Sequence, residues 1–530
     1  MRSHPDPRAH STRSPVVRRF SDPWTLIAIL GSIALIIALQ LTAGAYRSDF
    51  DGFPDEAAHF VSGLMVYDFL TTWPSRDPMA WAINYYLHYP KVAIGHWPPG
   101  FPLMEALWWL LFGPSRWSTV LLEGALTAAA AAIFYRLARR LTQWPIAFAA
   151  TMLLICAPVT RTSFSMGMAD IPCLLWSVLL LDATVRILRR PATTSFLLAG
   201  LWLTCAILTK GTGVCLIPVP AIALFLAGKW RNLPLRPIAW AAGFVVLGST
   251  WYLIQSLVFH HSVTAWGGMS SSLPWPAYLV PPLAGYGVFT LAVGGIFSSL
   301  ARRLPDALAA TSLLVSSIAA SFVLRAMNDS RHWIIVLPAL LLLAIECLVW
   351  LERVRWVGVV AALAAVALFP FGLERLPVSG FQRFAAEVHH PARMLVSSNG
   401  FGEGAWIAAV ALSEKRPSSV VIRASKALAS EGWNGDNYKL LASSPSQVQT
   451  TLDQLGVETV VVQVLPGRPI PPHQVLLNSV MQSGVAWRQC ANDGSLTAWC
   501  RTKPPTVPRR PLRIDLRDRI GRVIEESPAP

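Results

Sequence analysis

The adjacent acids Asp55 and Glu56 are the sharpest candidates for chemistry in this sequence. They stand at the start of a helix-forming segment close to the first long apolar block, and Pro54 before them suits a helix start. A carboxylate held on a rigid support can act as a general base. One alternative stays open, because acids also favour a helix N-terminus through capping and the helix dipole.

His59 follows Asp55 by one helical turn, so the two side chains could share a face and bind a metal or a phosphate. A polar helix face without any ligand explains the same spacing. Divalent cations such as Mg²⁺ or Mn²⁺ bind carboxylate oxygens with few sequence constraints, and Asp55, Glu56 and Asp170 could serve. The sequence therefore leaves the metal unknown and identifies no certain cofactor.

The composition indicates what must position these residues. Of 530 residues, 53% are hydrophobic and only 14% are charged, whereas a soluble domain has roughly 25% charged residues. The hydrophobic residues form blocks of roughly 17 to 25, the length of a membrane-spanning helix. We predict a polytopic α-helical membrane protein with about eleven spans, near residues 24–45, 117–136, 145–160, 170–188, 195–210, 212–228, 237–258, 278–300, 306–324, 332–350 and 356–373.

The net charge of +15 does not indicate nucleic-acid binding, because the Arg and Lys residues sit in short clusters between apolar blocks. Such clusters mark cytoplasmic connections of a protein in the plasma (inner) membrane. The polar tail 1–22 is then cytoplasmic, and no signal peptide is evident. Two long hydrophilic regions, 46–116 within a membrane domain 23–375 and 376–502 after it, face the outside.

The outer loop 46–116 is too long and too rich in aromatic residues and proline to be a simple connector, so we expect short interfacial helices in it. Apolar residues near helical spacing between Asp55 and Leu70 predict an amphipathic helix along the membrane surface. No chemistry is assigned to the tail 503–530, which is basic and proline-rich and is predicted to be disordered or to lie on anionic lipid.

Residues 376–502 predict a small extracytoplasmic α/β domain, with strands at Arg393–Ser397, Val420–Arg423 and Val457–Val464 and helices near 403–413 and 446–455. The glycine-rich segment 399–404 lacks a full dinucleotide-binding pattern and is interpreted as a strand-to-helix turn. Cys490 and Cys500 either form a disulfide, which an exported compartment permits, or remain free thiols.

Four short motifs resemble those of the GT-C membrane glycosyltransferases, with the protein O-mannosyltransferases and the lipid A aminoarabinose transferases as the nearest branches. Each motif is common alone, but their order, spacing and outward placement coincide over residues 46–340. The motifs are Pro54-Asp55-Glu56-Ala57-Ala58-His59, His96-Trp97-Pro98-Pro99-Gly100-Phe101-Pro102, Met168-Ala169-Asp170-Ile171-Pro172 and Leu208-Thr209-Lys210-Gly211.

The resemblance implies inverting transfer of a hexose or pentose from a polyprenyl-phosphate donor to an exported protein, lipid A or envelope glycan. Asp55 would be the general base beside Glu56. The leaving phosphate develops negative charge and needs cations or hydrogen-bond donors nearby. Lys210, Arg331, His332 and His96 are the candidates for that role, and Asp170 and His59 would serve the acceptor or act as the acid of the second outer loop.

Each of these residues has a structural alternative. Lys210 could extend to the membrane interface without a function, and Arg331 could simply pair with Asp329. Asp170 could cap the following helix, and His96 beside Trp97 is also a common interfacial pairing.

A rival function is a transporter or flippase of lipid-linked saccharides. It would predict internal repeats with paired broken helices, and the two halves of the sequence show no such repeat.

Overall fold

A computed structural model describes most of the chain beyond the predicted cytoplasmic tail 1–22, which lies outside the described residues. The described ranges are 23–74, 76–231, 233–257, 283–324, 329–351, 355–372, 374–431, 437–465, 467, 469–505 and 507–526.

Helices occur at all eleven predicted spans, so the prediction of a multi-pass helical membrane protein is confirmed. Within the described ranges, six helices are long and apolar enough to cross a bilayer, or seven if a pair bent by 60° forms one span. The other predicted spans fall on shorter, broken or less apolar helices. The helices of this region are α1 (Pro23–Thr42), α2 (Glu56–Thr72), α3 (Pro78–His88), α4 (Gly100–Phe112), α5 (Arg116–Ala138), α6 (Trp144–Cys156), α7 (Pro158–Phe164), α8 (Asp170–Arg189), α9 (Thr193–Thr209), α10 (Val219–Leu226), α11 (Leu235–Leu257), α12 (Gly285–Arg302), α13 (Pro305–Leu324), α14 (Leu337–Leu351) and α15 (Arg355–Ala367).

Two 3₁₀ helices interrupt this series at functionally interesting places. Gly211–Leu216 follows α9 directly, and Ser330–Val336 precedes α14. The first comes just after Lys210, and the second contains Arg331 and His332. Candidate cations therefore lie at both of these helix breaks.

The outer loop contains α2, α3 and α4, but α2 is not the predicted amphipathic surface helix. Every residue from Glu56 to Leu64 is buried, so the first half of α2 is covered on all faces. The polar members of this stretch, Glu56, His59 and Ser62, are buried as well. The local sequence pattern does not predict this burial, because part of the layer that covers α2 comes from a distant part of the chain.

Helix α4 forms one part of that covering layer, and the rest comes from the C-terminal α/β region. Its main sheet has the order β2-β1-β5-β7-β6, with β1 parallel to β2 and β5 and with β7 antiparallel to its neighbours. The strands are β1 (Arg393–Ser397), β2 (Val420–Arg423), β3 (Ala429–Ser430), β4 (Lys439–Leu440), β5 (Thr459–Gln463), β6 (Trp487–Asn492), β7 (Leu496–Arg501), β8 (Arg513–Leu516) and β9 (Arg522–Glu525). The helices are α16 (Phe381–Glu387), α17 (Gly400–Ser413), α18 (Ala424–Ala427), α19 (Pro445–Gln454), α20 (Pro472–Gln482) and α21 (Arg517–Ile520).

The predicted turn at 399–404 is present, since Asn399 caps α17 by accepting a hydrogen bond from the Gly402 amide at 2.8 Å. Helix α17 then packs on α2. One continuous apolar core joins Phe60 and Trp109 of the outer loop to Trp406 and Val461 of the α/β region. The outer loop and the α/β region therefore form one packed unit above the spans.

Within the tail, residues 513–525 form two strands joined by a short helix, contrary to the prediction of disorder. Strands β8 and β9 pair with Ile514 opposite Ile524. Leu516, Ile520 and Ile524 are buried in the core shared with the outer loop. These few apolar residues are enough to hold the segment because the hairpin supplies its own backbone hydrogen bonds.

The two cysteines of this region, Cys490 and Cys500, form a disulfide between the neighbouring strands β6 and β7. This resolves the choice between a bridge and two free thiols.

Candidate active site

Asp55 occupies the N-cap position of α2 but makes no side-chain capping hydrogen bond. Its Oδ2 atom instead accepts a hydrogen bond from Nη2 of Arg331 at 2.7 Å. The capping alternative therefore does not describe what this carboxylate does. The candidate base Asp55 therefore forms an ion pair with Arg331, which lies just before a membrane helix distant in sequence.

Arg331 is held by three groups. Besides Asp55, its Nε atom donates to Oδ2 of Asp329 at 3.1 Å, so the predicted alternative pairing exists alongside the site contact. Its guanidinium carbon lies 4.0 Å from the centre of the Phe53 ring, in cation–π geometry. Hydrogen bonds on one side and a ring on its face fix the guanidinium in one orientation.

The pKa of Asp55 is set by two opposing effects. Burial by itself would raise it, but the charge and hydrogen bond of Arg331 and the charge of Lys210 outweigh burial and lower the pKa below its ordinary value of 3.8. Asp55 is therefore ionised at neutral pH and can accept a hydrogen bond or a proton.

Lys210 and Asp170 form a second pair, with Nζ 2.5 Å from Oδ1. Asp170 is fully buried and is the first residue of α8, whose N-cap is Ala169 without a side-chain cap, so the capping alternative for Asp170 is wrong. Lys210 ends α9. The pairing gives Lys210 a defined partner at the membrane boundary.

The segment that contains His96 packs closely against the backbone of the segment that contains Lys210. Gly100 packs so tightly on the Leu208 backbone that an added Cβ would lie 2.5 Å from the Leu208 carbonyl oxygen. Only glycine fits there. The His96 loop is also fixed from α11, because Nε2 of Gln255 donates to the carbonyl oxygens of Gly95 and His96 at 3.0 Å each.

His59 stacks on Trp97, with ring centres 4.0 Å apart, and Phe101 contacts it edge-on. Burial lowers the pKa of His59 to about 3 against the opposing charge of Asp55. The imidazole is therefore neutral at physiological pH. Its Nδ1 atom is buried without a hydrogen-bond partner, so it can serve a ligand hydroxyl.

A cavity of about 1030 Å³ connects these groups. This volume lies at the upper end of the roughly 300–1,000 Å³ typical of small-ligand sites. Phe53, Asp55, His59, His96, Trp97, Lys210, Arg331 and His332 line it from the membrane region and the outer loop. Six predicted site residues therefore share one cavity, although they come from four separate parts of the sequence.

The α/β region forms the opposite wall of this cavity. Its contribution combines polar and charged residues with apolar ones, including Arg423, Lys426, Ser430, Glu431 and the consecutive residues 512–516. The sequence interpretation assigned no role to these positions, and it assigned none at all to the tail that supplies five of them.

Glu56, predicted as a catalytic partner of Asp55, is placed differently. It is fully buried and does not line the cavity; its carboxylate pairs with Arg116. It also accepts hydrogen bonds from the Gly52 amide at 3.1 Å and the Gly167 amide at 3.2 Å. Through these contacts Glu56 fixes the loop that carries Asp55. Glu56 is therefore placed to position Asp55.

The structure adds residues that the sequence interpretation missed. Phe53, which contacts Arg331, and Arg116, which pairs with Glu56, were not singled out, although Phe53 stands two residues before Asp55. Asp170 lies behind the cavity wall and acts on it through Lys210.

Among the residues that the structure describes, no group of three or more His, Cys, Asp or Glu side chains is arranged to hold a metal ion. The use of Mg²⁺ or Mn²⁺ stays an untested prediction.

Comparisons with known proteins agree with this architecture. Residues 96–252 match the family described as dolichyl-phosphate-mannose-protein mannosyltransferase. No curated protein matches the chain by sequence.

Solved structures resemble the chain over most of its length. ArnT from Cupriavidus metallidurans in the apo state is 14% identical, with a TM-score of 0.55 over 89% of this chain and 98% of that one. The same protein bound to undecaprenyl phosphate is 15% identical, with a TM-score of 0.51 over 91% and 100%. The oligosaccharyltransferase AglB from Archaeoglobus fulgidus, in complex with an inhibitory peptide and a dolichol-phosphate, is 13% identical, with a TM-score of 0.52 over 83% and 69%.

The fold and the cavity define a multi-pass membrane protein with a polar site between its membrane helices and its C-terminal α/β region. The chain has the fold of the GT-C superfamily of membrane glycosyltransferases, and the predicted resemblance to that superfamily is confirmed.

Proposed function

We propose that the chain transfers a sugar from a polyprenyl-phosphate donor to an exported acceptor, with Asp55 as the general base. The observation that carries the proposal is the single cavity in which Asp55 meets Lys210, Arg331 and His332. The structures of similar proteins in complex with undecaprenyl phosphate and dolichol-phosphate support the class of donor.

The proposed reaction is one displacement with inversion at the anomeric carbon. The acceptor oxygen or nitrogen attacks this carbon while the bond to the phosphate oxygen breaks, and polyprenyl phosphate departs with the electron pair. The proton of the acceptor passes to the carboxylate of Asp55. Because Asp55 is ionised and fixed by Arg331, it is ready to receive a hydrogen bond from the acceptor.

The leaving phosphate gains negative charge, which donors already in place can stabilise without rearrangement. Lys210 and Arg331 are such donors, and both line the cavity within ion-pair distance of a carboxylate. His332 and His96 line the same wall and complete the candidate phosphate site. In this assignment Asp170 positions Lys210, while Glu56 positions the loop of Asp55.

The neutral His59, stacked on Trp97, is suited to the transferred sugar, since a planar platform and an unpaired ring nitrogen both fit a hydroxylated ring. The acceptor would enter along the opposite wall, where Arg423, Lys426 and Ser430 lie. A protein, lipid A or an envelope glycan are the three acceptor classes in this proposal.

The proposal also specifies how the chain is placed relative to the membrane. Residues 23–375 carry the catalytic machinery in the plasma membrane, and residues 376–502, together with 512–516 of the tail, form its extracytoplasmic wall. The disulfide between Cys490 and Cys500 supports an outer location, because such bonds persist in oxidising compartments.

The test is transfer by the purified protein in proteoliposomes supplied with radiolabelled polyprenyl-phosphate sugars and membrane extract. We expect labelled acceptor and free polyprenyl phosphate to appear together. A rival function, transport of lipid-linked saccharides, predicts that label crosses the bilayer with its polyprenyl phosphate bond intact. That outcome without transfer would overturn the proposal.

A further inference from the structure

Phe53 is the point at which three separate parts of the molecule meet. It belongs to the loop before α2 and stands two residues ahead of Asp55. Its ring lies 4.0 Å from the guanidinium carbon of Arg331, which comes from the 3₁₀ helix before α14. The same ring contacts Phe401, the second residue of α17, in an edge-on arrangement with centres 6.5 Å apart.

We infer that Phe53 is a positioning residue that keeps the Arg331 guanidinium on Asp55, and that Phe401 links the C-terminal α/β region to this pair. The inference rests on the proposed function, because the positions of Arg331 and Asp55 matter only if they serve the transfer. It adds a residue outside the carboxylates and cations of the site, and a physical route by which the α/β region acts on catalysis.

The contacts of Arg331 show why an aromatic ring against its guanidinium, here called the platform, helps to position it. Its contacts to Asp55 and Asp329 both lie along the edge of the guanidinium plane. These two hydrogen bonds hold one edge of the guanidinium but make no contact with either of its faces. An aromatic ring against one face of the plane supplies such a contact and adds electrostatic attraction.

Further contacts hold the start of α17 against the outer loop. Gly404, one turn after Phe401, packs against Ala57 of α2 and the side chain of Lys91, where an added Cβ would lie 3.3 Å and 2.9 Å from them. The first turn of α17 is therefore pressed onto the start of α2 and cannot move without moving the loop that carries Phe53. Phe401 itself is 37% exposed, so the core of the domain does not require it.

The alternative is that the two rings only fill space. The two explanations differ in what they predict for the active site of a folded variant. A space-filling role lowers the amount of folded protein and leaves the turnover per folded molecule unchanged. A positioning role lowers turnover and also changes the ionisation of Asp55, because a displaced Arg331 no longer stabilises the carboxylate.

The experiment compares transfer by the full chain in proteoliposomes for wild type, Phe53→Leu, Phe53→Tyr and Phe401→Ala, with Phe69→Leu as the control. Phe69 lies on α2 with its ring against Trp73 and does not line the cavity. For Phe53→Leu we expect kcat per folded molecule to fall about tenfold, with a small change in donor KM, on the scale of a lost cation–π contact. Phe53→Tyr keeps the ring and should restore turnover.

The pH profile is the decisive readout. Loss of the platform should move the acid limb of kcat to higher pH in Phe53→Leu, and to a lesser degree in Phe401→Ala, with no shift in Phe69→Leu. Wild-type turnover and an unchanged acid limb in Phe53→Leu would overturn this inference alone. Absence of transfer by wild type would overturn the proposed function, and this inference with it.

Discussion

Nη2 of Arg331 lies 2.7 Å from Oδ2 of Asp55, although 276 positions separate the two residues in the chain. The contact joins the outer loop after the first span to the break before one of the last membrane helices. It lowers the pKa of the Asp55 carboxyl. In the proposed reaction it also places a cation where the leaving phosphate gains negative charge.

The first prediction concerns the pH dependence of transfer. The pKa of Asp55 is depressed below 3.8, chiefly by Arg331 against the opposing effect of burial. The carboxylate therefore stays ionised, and activity persists, as pH falls to that depressed value. Replacing Arg331 with Met removes the main effect that opposes burial, so the pKa of Asp55 rises and the acid limb of kcat/KM moves to higher pH. Arg331→Lys, which keeps the charge, should shift the limb less; equal profiles for all three proteins would contradict the account.

The second prediction concerns the pair between Lys210 and Asp170. Lys210→Met should weaken donor binding and lower kcat/KM by roughly 10²-fold, because one charge-assisted contact to phosphate is lost and Asp170 is left buried and unpaired. Lys210→Arg keeps a cation and should retain more activity. Binding of polyprenyl phosphate to the detergent-solubilised protein measures the first effect directly, and unchanged affinity in Lys210→Met would remove Lys210 from the phosphate site.

The third prediction separates stability from chemistry at Glu56. Glu56→Gln breaks a buried ion pair with Arg116 and should cost about 3–5 kcal/mol of unfolding free energy. Replacing both residues by apolar ones should cost less than the sum of the single changes. Thermal unfolding in detergent checks this. If Glu56→Gln is as stable as wild type but inactive, Glu56 belongs to the chemistry after all.

The fourth prediction concerns Asp51, whose pKa burial raises to about 6 against a hydrogen bond from Ser379. The folded state then holds a proton that the unfolded state, with an ordinary pKa of 3.8, has released between about pH 4 and 6. Stability therefore falls as pH rises through this window. Asp51→Asn should be more stable than wild type by roughly 1–3 kcal/mol at pH 7.5 and should lose that advantage near pH 4. Denaturation midpoints at both pH values decide it.

Much of this architecture can be predicted from the sequence because lipid imposes simple rules. Every apolar block of sufficient length became a helix, and alternating β-rich runs such as Arg393–Ser397 became strands at the predicted positions. Asp55 was singled out as one of two adjacent acids at a helix start, and Lys210 because an ionisable residue at the membrane boundary is costly and therefore often functional.

The predictions that were wrong or missing concern features that depend on contacts between distant segments of the chain. Helix α2 was taken for a surface helix because its sequence does not show that α17 covers it. The tail was predicted to be disordered because it has few apolar residues; Leu516, Ile520 and Ile524 are buried in the core, and Leu512 and Ile514 pack against it. Phe53 carries no local signal at all, since its role arises from Arg331 and Phe401.

The central claim is that Asp55 is the general base of a polyprenyl-phosphate-dependent glycosyl transfer. The most direct measurement compares wild type with Asp55→Asn in proteoliposomes, scoring labelled acceptor, released polyprenyl phosphate and donor binding. Asp77→Asn is the matched control, because Asp77 caps α3 in the same outer loop, away from the cavity, and asparagine caps equally well. The account predicts that Asp55→Asn folds and binds donor but loses transfer by about 10²- to 10⁴-fold, while Asp77→Asn retains it. Wild-type turnover in Asp55→Asn would contradict the claim.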